Sequence, residues 1–515
     1  MRLKRVILLL VASMLWIGAR AEYAIDYGVE LIGNSGSGNF APHFVMSNNH
    51  GVQTQPNAAL LKLDLHRDIN LQNRFSVGYG ASVIGGYSSP TDYLVYDLSS
   101  ESMKPHGVAP SVAWIQELYG ELKYRSLFLM VGAKEKKSNL LNDRLSSGDL
   151  TYSANTRPMP GIRAGFVSPQ NIPFTDGWVQ IAGEVGFYKP TDNQWLENHY
   201  NYRNYYITTD LWFNYKYCYF STKPTKPFVF TVGMQATCQF GGEQVPYEKG
   251  VIQSKKIINM KPTFGTFVRS LFPASGGVNP GDINYKEGNH VGSWDIHGRY
   301  RFKDGTQLKA YYQSLFEDGS GIGMLNGFDG LYGIEYKSPL SKAVVTGAVV
   351  EYLDFMNQGG PIHWSPDDYP GTPLEGSATG ADNYYNNYTY NGYQYYGMSL
   401  GTPAAKAPIY NTDGYMSFTD TRLRSVHLGV EGTPIDRLSY RLMFAYTKSW
   451  GTPFRPYSVP NENTSAMIEC VYDWKNVPGL KVKGQFGIDR GTLFGNNTGI
   501  LLSVSYHGLL NFKKK

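Results

Sequence analysis

The chain has 515 residues, a formal net charge of +5 and 17% charged residues, whereas about 25% is usual for soluble domains. So small a positive charge, with no basic stripe interleaved with aromatics, excludes a dedicated nucleic-acid-binding protein. The 57 glycines and 40 tyrosines instead indicate a β-rich chain, because tyrosine favours strands and combines an apolar ring with a polar hydroxyl. Three cysteines are too few for a disulfide framework.

The N-terminus predicts an exported protein. A cationic region (Arg2 to Arg5) precedes an apolar one (Val6 to Gly18), and residues 19–21 have the small-x-small pattern of a cleavage site. The apolar stretch is too short for a transmembrane helix, which needs about 20 residues. We therefore predict a signal peptide over residues 1–21 and a single mature domain over residues 22–515.

From residue 22 onward, the dominant pattern is an alternation of apolar and polar residues with period two. Clear examples lie at residues 74–85, 293–302, 437–447 and 480–489. This period places all the apolar side chains of a strand on one face, as a lipid-spanning strand requires. A soluble β-sandwich also alternates, and it is the alternative that the pattern leaves open.

The C-terminal segment favours the membrane interpretation. Ile500, Leu502, Val504 and Tyr506 share one face of a strand whose last aromatic is Phe512. An apolar final strand ending in phenylalanine is typical of barrels that are inserted into the outer membrane. Because an open sheet edge cannot face hydrocarbon, such strands must close on themselves. We predict an all-β protein: a closed transmembrane antiparallel β-barrel of about 18 strands.

Long polar connections alternate with tight turns along the chain. The long ones are predicted near residues 40–57, 87–110, 136–159, 239–290 and 355–416, with a short helix within residues 138–149. We expect these long loops to fold over the barrel or into it, where they can plug the lumen.

The loop at residues 355–416 combines many aromatic rings with amides and carboxylates. Rings of this kind stack on the C–H faces of sugars, while Asn, Asp and Gln bond the hydroxyls. The candidate saccharide contacts are Trp364, Asp382, Tyr384, Tyr385, Asn386, Asn387, Tyr388, Tyr390, Tyr393, Tyr395 and Tyr396. The alternative is a structural loop that folds inward and packs on itself without any ligand.

The predicted lumen faces carry Arg299, Arg301, Arg437 and Arg441. A basic lumen would favour anionic solutes, but ladders of mixed charge also simply line barrel walls. The sequence shows no metal-ligand spacing, nucleophile elbow or phosphate-binding loop. We therefore predict no enzyme, no metal site and no cofactor.

Several segments in a fixed order carry a family resemblance. They lie at residues 41–51, 116–119, 145–160, 287–295, 316–321, 357–361 and 382–387. Together they resemble the Wzi-type capsule-assembly outer-membrane proteins, particularly the Bacteroidetes versions, over nearly the whole mature chain. The resemblance implies a closed 18-stranded barrel and a non-enzymatic lectin that holds capsular polysaccharide. The helical bundle of the family's type member has no clear counterpart in this sequence.

We therefore expect a monomer in the outer-membrane bilayer that binds capsular or other surface polysaccharide and aids capsule assembly or attachment. Capsule export machinery is a further candidate partner; nucleic acid is not. Two alternatives remain open. An open lumen would favour a channel for small solutes, and a serine, histidine and carboxylate within bonding reach at the rim would favour a barrel hydrolase.

Overall fold

A computed structural model describes residues 23–202, 206–272, 288–317, 319–324, 326–358, 382–387 and 389–512. The predicted signal peptide lies outside the described residues and stays a prediction.

The barrel wall consists of 18 strands. They are β1 (Tyr23–Ser37), β2 (Ala58–Arg67), β3 (Phe75–Ser88), β4 (Ala113–Tyr124), β5 (Leu127–Ala133), β6 (Gly161–Phe166, continued by Gln170–Asn171), β7 (Val179–Tyr188), β8 (Trp212–Thr222), β9 (Phe228–Phe240), β10 (Asn289–Arg301), β11 (Gln307–Phe316), β12 (Gly330–Lys337), β13 (Gly347–Asp354), β14 (Leu423–Ile435), β15 (Leu438–Gly451), β16 (Pro456–Asp473), β17 (Leu480–Gly491) and β18 (Thr498–Phe512).

The first and last strands close the barrel. β1 and β18 pair antiparallel, from Tyr23 opposite Phe512 to Ser37 opposite Thr498, and each other strand pairs antiparallel with both of its neighbours in the chain. The wall therefore has no open edge, and its backbone donors and acceptors bond within it. The predicted closed antiparallel barrel of about 18 strands is confirmed.

The strands present apolar side chains outward and polar ones inward. Leu31 and Leu502 on the outer face are 59% and 61% exposed, whereas Ser503, the next residue in β18, is 2% exposed. Asp295 and Gln313 of β10 and β11 are likewise buried on the inner face. Exposed leucines around a wall with a polar interior are the reverse of a water-soluble sheet, and they match a lipid-facing band.

The two ends of the barrel differ. Tyr23, Phe512 and the short turns, such as residues 125–126 and 302–306, lie at one end, which we call the short-turn end. The long connections meet at the other, the long-loop end. In their described residues they hold four helices, α1 (His43–Met46), α2 (Trp195–His199), α3 (Phe264–Leu271) and α4 (Gly319–Ile322), the 3-10 turns Ser254–Lys256 and Pro408–Tyr410, and the short strands Thr91–Asp97, Ser102–Val108, Tyr206–Thr209, Glu243–Glu248, Val251–Ile252, Ile258–Asn259, Gln394–Tyr395 and Met398–Ser399.

None of the helices in the described residues is both long and apolar enough to cross a membrane. The short helix predicted within residues 138–149 is wrong, since this segment consists of turns. The carboxylate of Asp143 accepts a hydrogen bond from the backbone N–H of Ser138, and the amide oxygen of Asn142 accepts from that of Leu145. Side chains that bond the local backbone in this way compete with helix formation.

Three connections fold into the lumen and fill its long-loop half. We call them the plug; it comprises residues 38–57 and 134–160 and the described part of residues 382–422. Its centre is apolar and aromatic, with Leu145, Leu150, Tyr385 and Tyr393 fully buried against inward-facing wall residues. The expectation that long loops plug the barrel is therefore confirmed.

The motif at residues 145–153 fastens the plug to the wall. Glu351 of β13 accepts hydrogen bonds from the hydroxyl of Ser146 and the backbone N–H of Ser147, at 2.6 and 2.7 Å. Asp149 accepts from the side-chain amides of Gln235 and Gln313, at 2.8 and 3.3 Å. Each of these buried carboxyl groups therefore holds the plug against the wall through two hydrogen bonds.

The outward orientation of Leu63, near the middle of β2, yields a test of the lipid-facing band. We expect Leu63→Arg to lower the free energy of unfolding in phospholipid vesicles by about 2–4 kcal/mol, because an arginine at the bilayer midplane is costly. Val459→Arg, at an exposed position near the long-loop end of β16, is the matched control and should change stability far less. Urea unfolding measures both, and equal losses would contradict this placement.

The anchoring of the plug by Asp149 can be tested by conductance. We expect Asp149→Ala to raise ion conductance in planar bilayers above that of the native protein, because five groups of the wall and plug lose their shared acceptor. Asp143→Ala is the control, since this exposed carboxylate bonds only within its own turn. An Asp149→Ala barrel that stays folded and closed would show that the plug does not depend on this carboxylate.

Candidate functional site

A cleft with a volume of about 130 Å³ opens at the long-loop end, between the plug and the neighbouring loops. We call it the rim cleft. Its lining residues are Gly51, Thr54, Gln55, Val108, Ala109, Pro110, Ser111, Arg157, Asp192, Asn193, Trp195, Asn198, His199, Tyr396, Met398 and Ile409. All three plug segments contribute, together with the β3–β4 and β7–β8 loops, so the cleft exists only when these loops are folded together.

The one-turn helix α2 supplies the tryptophan of the cleft. Its first turn is held by Asp192, whose carboxylate accepts a hydrogen bond from the backbone N–H of Leu196 at 3.1 Å. The indole of Trp195 packs against Gly397, where an added Cβ would lie 2.1 Å from the ring. Gly397 has a φ of +72°, so both the close approach and the backbone conformation require glycine. Trp195 is therefore fixed in direction, and its side chain is half-buried.

A cation between two rings forms the opposite part of the cleft. The guanidinium of Arg157 lies 4.3 Å from the ring of Trp114 and 4.4 Å from that of Tyr396. The hydroxyl of Tyr396 donates to the carbonyl of Thr191 at 3.1 Å. Such cation–π contacts order long side chains that would otherwise be mobile. The ring of Tyr396 is thereby held at the border of the cleft.

Burial sets the protonation of the titratable groups around the cleft. It lowers the pKa of His199 to about 3, so this imidazole is neutral above acidic pH. His199 stacks on Trp195 with ring centroids 3.9 Å apart. Burial also raises the pKa of Asp192 and lowers that of Arg157. The resulting surface has aromatic faces beside amide and carboxyl groups, with one guanidinium at its edge.

Most of the tyrosines predicted to contact saccharide lie inside the plug. Tyr384, Tyr385, Tyr390, Tyr393 and Tyr395 are buried. The hydroxyls of Tyr385 and Tyr393 donate to the carbonyls of Leu150 and Thr151, at 2.8 and 2.6 Å. The rings of Tyr385 and Tyr393 stack on each other, with centroids 5.7 Å apart. In this conformation, the faces of these rings contact other protein groups. This is the arrangement expected for the alternative, a structural loop that packs on itself.

The other predicted contacts have different positions. Tyr396 lines the rim cleft. Asp382, Asn386 and Asn387 are half-buried, and Asn386 is engaged with the backbone of the plug at residue 418. Trp364 and Tyr388 lie outside the described residues. All of these assignments stay predictions.

Sequence reasoning did not single out Arg157, Asp192, Trp195 or Asn198. They lie in two different connections, and no sequence motif includes both. Only the folding of the chain brings them beside Tyr396. One sequence signal did exist, because Trp195 lies among Asp, Asn and Gln at residues 191–199. A large aromatic in such a polar loop is typical of an exposed functional residue.

The four lumen arginines separate into two groups. Arg441 points into the lumen, where it donates to the carboxylate of Glu469 at 2.9 Å and to the carbonyl of Arg144 at 2.9 Å. Arg299, Arg301 and Arg437 lie at the short-turn end, and Arg437 is in the turn between β14 and β15. The pairing of Arg441 fits the interpretation of a mixed-charge ladder that lines the wall.

A hydrolase would need a serine, a histidine and a carboxylate that bond one another, and the described residues place one such set close together. The hydroxyl of Ser47 is 3.3 Å from Nδ1 of His43, but the neighbouring carboxylate of Asp489 accepts a hydrogen bond from the backbone N–H of His43. Burial lowers the pKa of His43 to about 3. Among the residues that the structure describes, no group of three His, Cys, Asp or Glu is placed to hold a metal ion.

The closed wall, the outward apolar band and the loop-filled lumen define an outer-membrane β-barrel. Among solved structures, the chain is similar to Wzi of Escherichia coli, described as a carbohydrate-binding barrel involved in Group 1 capsule assembly, with a TM-score of 0.55 and 13% identity over 95% of this chain and 85% of that one. It also matches Acinetobacter baumannii OccAB2 with a TM-score of 0.45 and 7% identity, over 95% of this chain and 98% of that one.

A further match is Pseudomonas aeruginosa OpdK in complex with vanillate, with a TM-score of 0.44 and 10% identity, over 95% of this chain and 98% of that one. No protein-family model matches the chain, and no curated protein does either. At these identities, the likeness to Wzi establishes the fold alone.

Proposed function

We propose that this outer-membrane barrel binds surface polysaccharide at its long-loop end, without catalysis, and thereby helps to attach or assemble a capsule. The observation that carries the proposal is the rim cleft, which is lined by the half-buried rings of Trp195 and Tyr396 and by Asp192 and Asn198. A concave surface with aromatic walls and a few placed polar groups is the usual form of a small-ligand site, and it suits sugars, which have apolar C–H faces and polar rims.

The orientation of the barrel supports the same proposal. Bacterial barrels have short turns on the periplasmic side and long loops outside, so the rim cleft would face the cell exterior, where capsule lies. The loops that fill the long-loop half of the lumen are the second support, because they build a binding surface at the rim and leave less room for small solutes to pass. The description of Wzi as a carbohydrate-binding barrel in capsule assembly agrees with this role.

The arrangement also suggests how a polymer would be held. The rings of Trp195 and Tyr396 would each cover a sugar face, and Asn193 and Asn198, both exposed, would bond hydroxyls. A polysaccharide repeats its unit, so several weak contacts along one chain add up through effective concentration. A single barrel acting as a monomer could therefore retain a long polymer although each contact is modest. Capsule export machinery would deliver that polymer.

Two tryptophans at opposite ends of the barrel provide the test. We expect Trp195→Ala to weaken binding of polysaccharide extracted from the host cell surface by about tenfold, which corresponds to about 1.4 kcal/mol, because a stacking face is lost. Trp474→Ala is the matched control, since Trp474 is exposed in a turn at the short-turn end and should bind as the native protein does. Isothermal titration of the detergent-solubilised barrel measures both affinities.

The outcome distinguishes polysaccharide binding from the two alternative functions, a channel and a hydrolase. Unchanged affinity of the Trp195→Ala variant would remove the rim cleft from the proposal, and no binding by the native protein would remove the lectin role. Steady conductance of the native protein in planar bilayers would instead favour the channel for small solutes. Release of sugar or acyl products from the polysaccharide or lipid would favour the hydrolase.

A further inference from the structure

The helix α3 (Phe264–Leu271) lies against the outside of the barrel. Phe267 packs edge-on against Phe187 of β7, Trp212 of β8 and Phe240 of β9, with ring centroids 5.4, 5.1 and 5.2 Å apart. These three residues are at the long-loop ends of their strands. Their neighbours in sequence, such as Phe213, face the plug, so alternation places the three rings on the outer face. The helix therefore covers the upper edge of the apolar band.

The two faces of α3 are reversed relative to a helix on a water-soluble protein. Thr266 and Ser270 are buried on the barrel side. Phe264, Val268 and Phe272, which recur every fourth residue, point away and are 85%, 43% and 72% exposed. An amphipathic helix in water turns its apolar stripe toward the protein. An apolar stripe directed outward is stable only if something apolar covers it.

The wall beneath the helix carries a lysine whose ammonium group bonds a carbonyl of α3. Lys216 of β8 faces outward, and its ammonium group donates to the carbonyl of Ser270 and to the side chain of Asn214, both at 2.9 Å. Ser270 is in the last turn of α3, where the free carbonyls carry partial negative charge. The helix thus covers this cation and gives it an acceptor on a surface where a lone ammonium facing lipid would be costly.

We propose that α3 is an interfacial helix that inserts Phe264, Val268 and Phe272 into the lipid leaflet at the long-loop end. The exposed stripe lies at the long-loop end of the outward apolar face of β8 and β9, whose exposed Phe220 and Phe230 are nearer the short-turn end, so one bilayer can cover both. A helix with a strong apolar face lies in the plane of the membrane interface. The partner of this surface is therefore the bilayer, and its site is independent of the rim cleft.

The depth of the stripe can be measured by spin labelling. In a full-length chain with Cys218→Ala, Cys238→Ala and Cys470→Ala, single cysteines at Phe264, Phe272 or the control Phe454 carry a nitroxide. Phe454 is an exposed aromatic in the short β15–β16 loop. The protein is reconstituted in phosphatidylcholine–phosphatidylglycerol vesicles, and collisions with oxygen and with a water-soluble nickel chelate are compared.

We expect labels at positions 264 and 272 to be several-fold less accessible to nickel than the label at 454, and more accessible to oxygen. A chain that keeps Cys218 alone, on the lipid-facing wall, gives the reference for full immersion. Nickel access at 264 equal to that at 454 would overturn the proposal. Low access to both reagents would also overturn it, since protein would then cover the stripe.

A second measurement leaves the native cysteines in place. A photo-reactive benzoyl-phenylalanine at position 264 should form adducts with lipid on irradiation in the same vesicles, whereas the same group at position 454 should not. Mass spectrometry of the modified peptides identifies the adducts. Equal lipid labelling at the two positions, or none at 264, would contradict insertion of the stripe.

Discussion

A backbone N–H or C=O that lacks a partner in hydrocarbon costs several kcal/mol, because no water can replace the missing bond. The pairing of β1 with β18 removes the last edge of the sheet at which such groups would be exposed. Once the sheet is closed, each strand has one face toward lipid and one toward the lumen. That closure explains why Leu31 and Leu502 are exposed and why Asp295 is buried.

Closure also creates an interior that must be filled. A wall of this circumference encloses more space than its own inward side chains occupy, and the plug supplies the rest. Polar groups of the plug meet polar groups of the wall, as with Ser146 and Glu351, while the tyrosines pack with one another near the long-loop end. Burying a polar group without a partner is costly, so these matched bonds fix where the loops lie.

The features at the long-loop end depend on that fixed plug. The rim cleft is lined by Arg157 and Tyr396 of the plug and by Trp195 of a neighbouring loop, so its shape depends on how the plug packs. The helix α3 instead rests on the outer wall, where Lys216 and the ring of Phe267 hold it. One end of the barrel thus has a polar, aromatic cleft inside its rim and an apolar stripe outside it.

The sequence by itself determined which residues face lipid, because the two faces of a strand follow from the period-two alternation of neighbours, as at Leu502 and Ser503. The strand number and the long loops follow from the same local pattern. Only the tertiary structure decided what the loops do. Tyr385 and Tyr393 belong to a loop whose composition suits sugar binding, but they are buried because the loop enters the lumen. Arg157, Trp195 and Tyr396 are far apart in sequence, and their proximity depends on how three loops pack together, which no local pattern records.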